Sequence, residues 1–330
     1  MQRPISLKLN EKYTKNMSAH MTQHTENPSE FFQIAQISND PESLSKALDF
    51  LYTHEPFCLY LIGNLEKFGP IPTDHPHSGN FFQVSTNNSI TAVFCACNSG
   101  LVLAFTSPPS PSSDLFDSIL SKLLNNPTKI LGILAEENTA QHLLSSFTRR
   151  FGEGFRVKFE SFNELLKLND LKLNCWEAFG NTDQDGQVRF LRAEDYPSWL
   201  ELMTKFQEET QIASDPEEMQ VSIFEHEAGL KHIWGYFDKK GGELVCIVRL
   251  NSCTRAGGCF GGMYNKPEFR RRGIARKLMR QALSDCARIH GHGHNVLFTS
   301  ETNFSALSLY HSLGYSKIGR IRISFFEFSS

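Results

Sequence analysis

No stretch of this 330-residue sequence approaches the ~18 consecutive apolar residues that a membrane-spanning helix needs. The N-terminus lacks the apolar core of a secretory signal, which reads as a cytoplasmic protein with no membrane partner. Strong charge of either sign is missing as well. The formal net charge is -3 and the pI ≈ 6.5, a balance unlike that of a protein built to coat nucleic acid. The cysteines, at 58, 95, 97, 175, 246, 253, 259 and 286, form no Cys-x-x-Cys pair. Most lie in apolar strand or helix patterns, so they read as reduced, buried small hydrophobes, with neither a disulfide framework nor a zinc site.

What is present is an ordinary globular composition, 40% hydrophobic, on a chain long enough for two domains. The chain is organised around Tyr264-Asn265-Lys266-Pro267-Glu268-Phe269-Arg270-Arg271-Arg272-Gly273-Ile274-Ala275. A run with strand character, Gly258 to Tyr264, precedes it. An amphipathic segment follows, with Ile274, Leu278, Met279, Ala282 and Cys286 at one-turn spacing and Gly291 as its stop. A strand, a tight basic loop and a helix N-terminus aim backbone N–H groups and the positive end of a helix dipole at one spot, which makes an anion site. The bland reading of the loop alone is a surface turn with its arginines in water. The spacing is neither Gly-x-Gly-x-x-Gly nor Gly-x-x-x-x-Gly-Lys-Ser/Thr, so dinucleotide and nucleotide-triphosphate loops are excluded.

The loop resembles the Arg/Gln-x-x-Gly-x-Gly/Ala signature of the GNAT acyltransferase superfamily, through Arg270, Gly273 and Ala275. A second stretch is similar to the family's Asn-x-x-Ala-x-x-x-Tyr-x-x-x-Gly-Phe/Tyr motif, with Asn303, Ala306, Tyr310, Gly314 and Tyr315 in register. There a short strand, Val296 to Ser300, leads into a helix that Thr302 or Asn303 caps and Gly314 ends.

The resemblance implies an α/β (α+β) fold for 188–330, with a mixed, mostly antiparallel sheet flanked by helices. In the first half, helices are expected at Glu42–Thr53 and Leu59–Gly69, then an antiparallel meander at Phe81–Thr86, Ile90–Asn98 and Leu101–Thr106. A helix at Leu115–Leu124, a strand at Lys129–Ala135, a helix at Thr139–Arg149 and a strand at Arg156–Phe162 complete it. The second half follows the same order, so the expected architecture is two tandem GNAT-like domains, the competing view of the first half being an unrelated α/β interaction domain. They are a polar leader at 1–28, a degenerate copy at 29–170, a linker at 171–187 and a catalytic domain at 188–330. Met17 and Met21 are later candidate starts. Where the first copy needs its phosphate loop it carries Ser107-Pro108-Pro109-Ser110-Pro111, and prolines have no N–H to offer.

By resemblance, the protein is an N-acetyltransferase that moves an acetyl group from acetyl-CoA to a primary amine by direct attack. The alternative is a non-catalytic, CoA-binding regulatory or scaffold protein. Coenzyme A would be held by Met263, Tyr264, Arg270, Arg271, Arg272, Gly273, Ile274, Ala275, Arg276 and Asn303, mainly through backbone N–H groups, with one or two arginine side chains facing water. Tyr310 would assist the thiolate leaving group. Glu209 and Glu301 are the substrate or general-base candidates, with Glu208 beside the first. The acceptor is a small molecule in preference to a protein. His290-Gly291-His292-Gly293-His294 falls where a polar loop is expected and reads as one, so no metal is assigned.

Overall fold

The computed structural model describes residues 32–107, 112–171, 186–211, 217–239 and 242–328. The expected leader, most of the expected linker, the prolines of the first half's loop and the centre of the Lys239–Gly242 turn lie outside the described residues. Residues 32–330 form one compact unit. The first half runs β1 (Phe32–Gln36), α1 (Pro41–Thr53), α2 (Glu55–Phe68), β2 (Gly79–Thr86), β3 (Ser89–Cys97), β4 (Leu101–Thr106), α3 (Ser113–Leu124), β5 (Gly132–Glu136), α4 (Glu137–Phe151) and β6 (Phe155–Leu168). The second half repeats that order: β7 (Gly186–Phe190), α5 (Tyr196–Thr210), α6 (Glu217–Gly229), β8 (Ile233–Asp238), β9 (Leu244–Cys253), β10 (Gly257–Asn265), α7 (Ile274–Ile289), β11 (His294–Ser300), α8 (Phe304–Ser312) and β12 (Ser316–Phe328).

Local chemistry sets the boundaries. The Asp40 carboxylate accepts from Ser43 N at 2.8 Å and starts α1. Asn87 and Asn88, both at positive φ (51° and 64°), make the tight turn between β2 and β3, as asparagine readily does. Alternation along β3 sends Val93 and Cys95 to the face covered by α1 and α2, and Phe94 and Ala96 to the face covered by α3 and α4. The second half is layered likewise. Leu278, Met279 and Leu283 of α7 pack on Val248 and Leu297 on one face, and Trp199 and Leu202 of α5 pack near Ile233 and Ile247 on the other.

All the strands join one 12-stranded sheet, ordered β1-β2-β3-β4-β5-β12-β6-β11-β10-β9-β8-β7. Among the described residues only β4–β5 and β10–β11 are parallel pairs, so the expected mixed, mostly antiparallel sheet with helices on both faces is found. The continuity was not legible beforehand. In each half a strand–helix–strand unit, β5–α4–β6 or β11–α8–β12, leaves a gap one strand wide. The last strand of the other half fills it: β12 lies between β5 and β6, and β6 lies between β12 and β11. This explains why β6 runs to Leu168, well past the expected Phe162. Its Leu165, Leu166 and Leu168 are buried in the join, so the apolar run loses the alternation that marks a half-exposed strand.

A second join is made by α2. Ser252 Oγ donates to Leu59 O at 2.8 Å, Asn251 Nδ2 to Tyr60 Oη at 3.1 Å and Thr254 Oγ1 to Glu55 Oε1 at 2.5 Å. Close approach at this crossing needs Gly63, where a Cβ would stand 2.3 Å from Ser252 Oγ.

Candidate active site

The parallel strands β10 and β11 are paired only from Gly257↔His294 to Phe260↔Leu297. Beyond that point β11 follows β6 as far as Ser300↔Asn163, while β10 stays on β9 through a bulge between Gly261 and Tyr264. The two strands therefore part, and the backbone of Gly261–Tyr264 is left open on its β11 side. A bulge is a common device for turning a strand away from its neighbour beside a site. The parting opens into a cleft of ≈ 2230 Å³, lined by Gly262, Met263 and Tyr264 of β10 and by Thr302, Asn303, Ala306 and Tyr310 in and just before α8.

The basic loop forms the cleft's upper rim. Arg271 (φ 65°) and Gly273 (φ 76°) both adopt left-handed backbone, which turns the chain sharply into α7. No side chain caps that helix, and Lys277 N is the first amide to reach a helical carbonyl, Gly273 O at 3.1 Å. The amides of Ile274, Ala275 and Arg276 belong to the first turn, where a helix leaves its N–H groups to an outside acceptor. A Cβ on Gly273 would meet nothing within 4 Å, so the approach is open. These are the features that binding of a pyrophosphate needs.

The arginines divide. Arg270, Arg271 and Arg276 line the cleft, whereas Arg272 does not, its guanidinium lying 5.1 Å from the Phe269 ring centre. Arg270 Nη2 donates to both Glu209 oxygens, at 2.7 and 3.0 Å, and its Nε donates to Asn265 O. Arg276 Nη2 donates to Ser312 Oγ at 2.8 Å. Among these side chains Arg271 alone extends from a strained backbone with no such tie.

Tyr310 projects from α8 into the floor of the cleft and is 8% exposed. Its hydroxyl has one weak neighbour, Met263 Sδ at 3.9 Å, and its ring packs edge-on against Tyr315. Burial first, then the nearby Cys246, pushes its phenol well above the usual range, so it stays protonated and keeps a proton to donate. Asn303 caps α8 by accepting from Ala306 N at 3.2 Å, which fixes the helix that carries Tyr310.

The two carboxylate candidates separate. Glu209 lies in the cleft, bound by Arg270 and accepting from Tyr264 Oη at 3.3 Å. Glu301 does not line the cleft, and it accepts from Arg320 Nη2 at 2.5 Å on the neighbouring strand. The structure thus brings Tyr310, Met263, Tyr264, Asn303, Glu209 and the loop together and leaves Arg272 and Glu301 apart from them.

Sequence reasoning missed the opposite wall. Tyr60, Asn64 and Lys67 of α2 and His75 and His77 of the following loop line the same cleft, as do Arg249 and Asn251 of β9. One signal was available: Arg249 is the lone charge in the apolar run Leu244–Leu250.

Behind that wall sits the histidine tract. His292 is 1% exposed, its Nε2 lies 3.1 Å from Cys253 Sγ, and its Nδ1 is buried without a partner. Burial, then the neighbouring His290, His232 and His294, holds its imidazole down to about 4, while burial pushes the Cys253 thiol up to about 11. The pair is therefore a thiol and a neutral imidazole, without the thiolate a nucleophile requires. No group of three or more metal-binding side chains occurs among the described residues.

The depressed imidazole has a stability consequence. Unfolded, His292 takes up its proton near 6.5; folded, it does so only near 4. Between those values the unfolded chain binds more protons, so stability falls as pH drops through the window, by up to ~3 kcal/mol. Glu227, held down to about 2 beside His232 and Lys67 despite its burial, acts lower, its contribution being lost between 4.5 and 2. Thermal unfolding is expected to shift steeply between pH 6.5 and 4, and His292→Gln to flatten that slope. An unchanged slope in the variant would remove His292 as its source.

Residues 196–315 match the model of the acetyltransferase (GNAT) family. Solved structures share the fold over most of the chain. A Drosophila protein aligns with a TM-score of 0.60 at 16% identity, covering 88% of this chain and 98% of its own. A GCN5-related N-acetyltransferase from Sphaerobacter thermophilus gives 0.55 at 12% identity, with 89% and 95% covered. A tandem GNAT protein from the clavulanic acid biosynthesis pathway gives 0.51 at 11%, with 91% and 99% covered. No curated protein matches significantly in sequence. The match to the acetyltransferase (GNAT) family lies within 196–315, and the fold shared with the solved structures extends over the first half as well.

Proposed function

We propose that this protein is an N-acetyltransferase that uses acetyl-CoA to acetylate a primary amine by direct attack. The observation that carries the reading is the parting of β10 from β11 beside an uncapped helix N-terminus, with the Tyr310 hydroxyl at the base of the parting. Acetyl-CoA would supply a thioester carbonyl open to attack and a thiolate leaving group. The carbonyl carbon gains a bond to nitrogen and loses its bond to sulfur, and the amine gives up a proton.

The chain's own residues serve each need. Ile274, Ala275 and Arg276 offer first-turn amides to the pyrophosphate, with Arg271 adding charge. The open backbone of Gly261–Tyr264 can pair with an extended ligand as an added strand does, and its N–H groups can polarise a carbonyl. Tyr310 donates a hydrogen bond toward the departing sulfur. A phenol of pKa ~10 is already a weaker acid than a thiol of pKa ~8.5, and burial widens that gap, so the role is donation without full proton transfer. Deprotonation of the amine falls to Glu209 or to water reached through the cleft, Glu301 being turned away. The acceptor enters along the cleft wall that α2 and β9 form together, so the first half supplies part of the reaction space.

Calorimetric titration of the full chain with acetyl-CoA tests this. One site per chain is expected, and Gly273→Val is expected to abolish it while leaving the fold intact. Left-handed backbone at a branched residue costs roughly 1–3 kcal/mol, and the new side chain projects into the open approach. Two sites would overturn the reading of the first half as a copy that does not bind coenzyme A. Binding without turnover of any amine would favour the scaffold alternative.

A further inference from the structure

The acceptor wall carries a charge that nothing in the described residues answers. β9 is apolar from Leu244 to Val248, then places Arg249 and Asn251 on the cleft. Arg249 stands opposite Gly261 in the β9–β10 ladder, and its Nε lies 3.3 Å from where a Cβ on Gly262 would be. That Nε is buried and has no hydrogen-bond partner, and the guanidinium forms no ion pair among the described residues. Four other arginines are answered by carboxylates. Arg270 is held by Glu209, Arg189 by Asp195, Arg320 by Glu137 and Glu301, and Arg322 by Glu160.

A guanidinium keeps its charge at any physiological pH, and holding it half-buried without a counter-charge is unfavourable. The side chain occupies the position where the open backbone of β10 begins, on a different element from the α7 N-terminus. The diphosphate has its own donors there, so Arg249 is not needed for it. Beside it, Asn251 Nδ2 is spent on Tyr60 Oη while its Oδ1 is buried with no donor. The local pattern is a planar cation next to a free acceptor, complementary to a planar anion next to an N–H group.

We propose that Arg249 binds a carboxylate on the acceptor, so that the substrate amine is a small amino acid in which nitrogen and carboxylate are separated by one or two carbons. The short spacing follows from position: Arg249 abuts Gly262, where the acyl carbonyl must sit for β10 to polarise it. A guanidinium's paired donors match a carboxylate's two oxygens, which fixes the amine's direction as well as its affinity. This assignment rests on the acetyltransferase reading above and specifies its acceptor.

The experiment measures acetyl-CoA-dependent CoA release by the full chain with matched pairs, glycine against methylamine and β-alanine against ethylamine, then with the remaining amino acids and their decarboxylated amines. The amino acid of a productive pair is expected to exceed its amine in kcat/KM by about tenfold to a hundredfold, the range of a charge-assisted hydrogen-bonded pair. Arg249→Gln is expected to erase that advantage by raising KM with kcat little changed, and Arg249→Lys to restore part of it. Acetyl-CoA titration of Arg249→Gln should match the unaltered chain. Acetyl-CoA binding with no preference for any amino acid over its amine, or a preference that survives Arg249→Gln, overturns the carboxylate assignment alone. Absence of acetyl-CoA binding in the unaltered chain overturns both readings.

Discussion

Tyr310→Phe is expected to lower turnover by about a hundredfold to a thousandfold, the range seen when one transition-state donor is removed, with acetyl-CoA affinity nearly unchanged. The asymmetry follows from how the residue is held. The ring does the packing, against Tyr315 and in the cluster with Leu278 and Leu297, and phenylalanine keeps all of it. The hydroxyl does almost none, its one neighbour being a thioether sulfur at 3.9 Å. Deleting it leaves no strong partner unsatisfied, so stability should shift by less than about 1 kcal/mol. Ground-state binding draws on the α7 amides and the open β10 backbone, which the substitution does not touch. Steady-state kinetics beside calorimetry separates the two effects. Equal losses of turnover and affinity would show that the hydroxyl serves binding, and the assigned role would fall.

Residues 186–330 produced alone are expected not to fold, although they contain both family motifs. The 13-residue β12 pairs only with β5 and β6, both in the first half, and β11 keeps only β10 when β6 is gone. The isolated segment would expose two unpaired strands and the apolar side chains Ile321 and Phe326, which are buried in the full chain. Such edges pair with other copies and aggregate. Co-production with residues 32–170 should yield a soluble complex with the near-ultraviolet signature of the full chain, and the full chain should unfold in one transition. A monomeric, well-dispersed NMR spectrum from 186–330 alone would refute the interdependence.

The contrast between motif and sheet shows what could be read from residues. Elements whose cause is local were legible. Gly273, Asn303 and Gly314 mark turns and caps through their own backbone and side chain, and α7 declares its buried face through Ile274, Leu278, Met279, Ala282 and Cys286. The loop and Tyr310 were found for the same reason. Elements whose cause is distant were not. β1 is a five-residue edge strand stabilised by pairing with β2, and β6 owes its length to partners more than 120 positions away. The cleft's second wall was hidden too, because α2 reads from sequence as an apolar helix. Only its contact with β9 turns Tyr60 and Asn64 toward the reaction space. Glu301 shows the converse: proximity in sequence to Tyr310 did not put it in the cleft, since Arg320 on β12 draws it aside.

The crossed seating of β6 and β12 also bears on how the chain acquires its shape during synthesis. Ribosomal production delivers residues in order, at roughly 5–20 per second, and a domain normally collapses once its own last segment emerges. Here the slot between β5 and β6 waits for the final strand, residues 316–328. The first half must therefore remain incomplete, with an apolar groove open, while every remaining residue is made. Pairing in that slot is deferred until β12 has been made, and the groove stays open in the nascent first half until then.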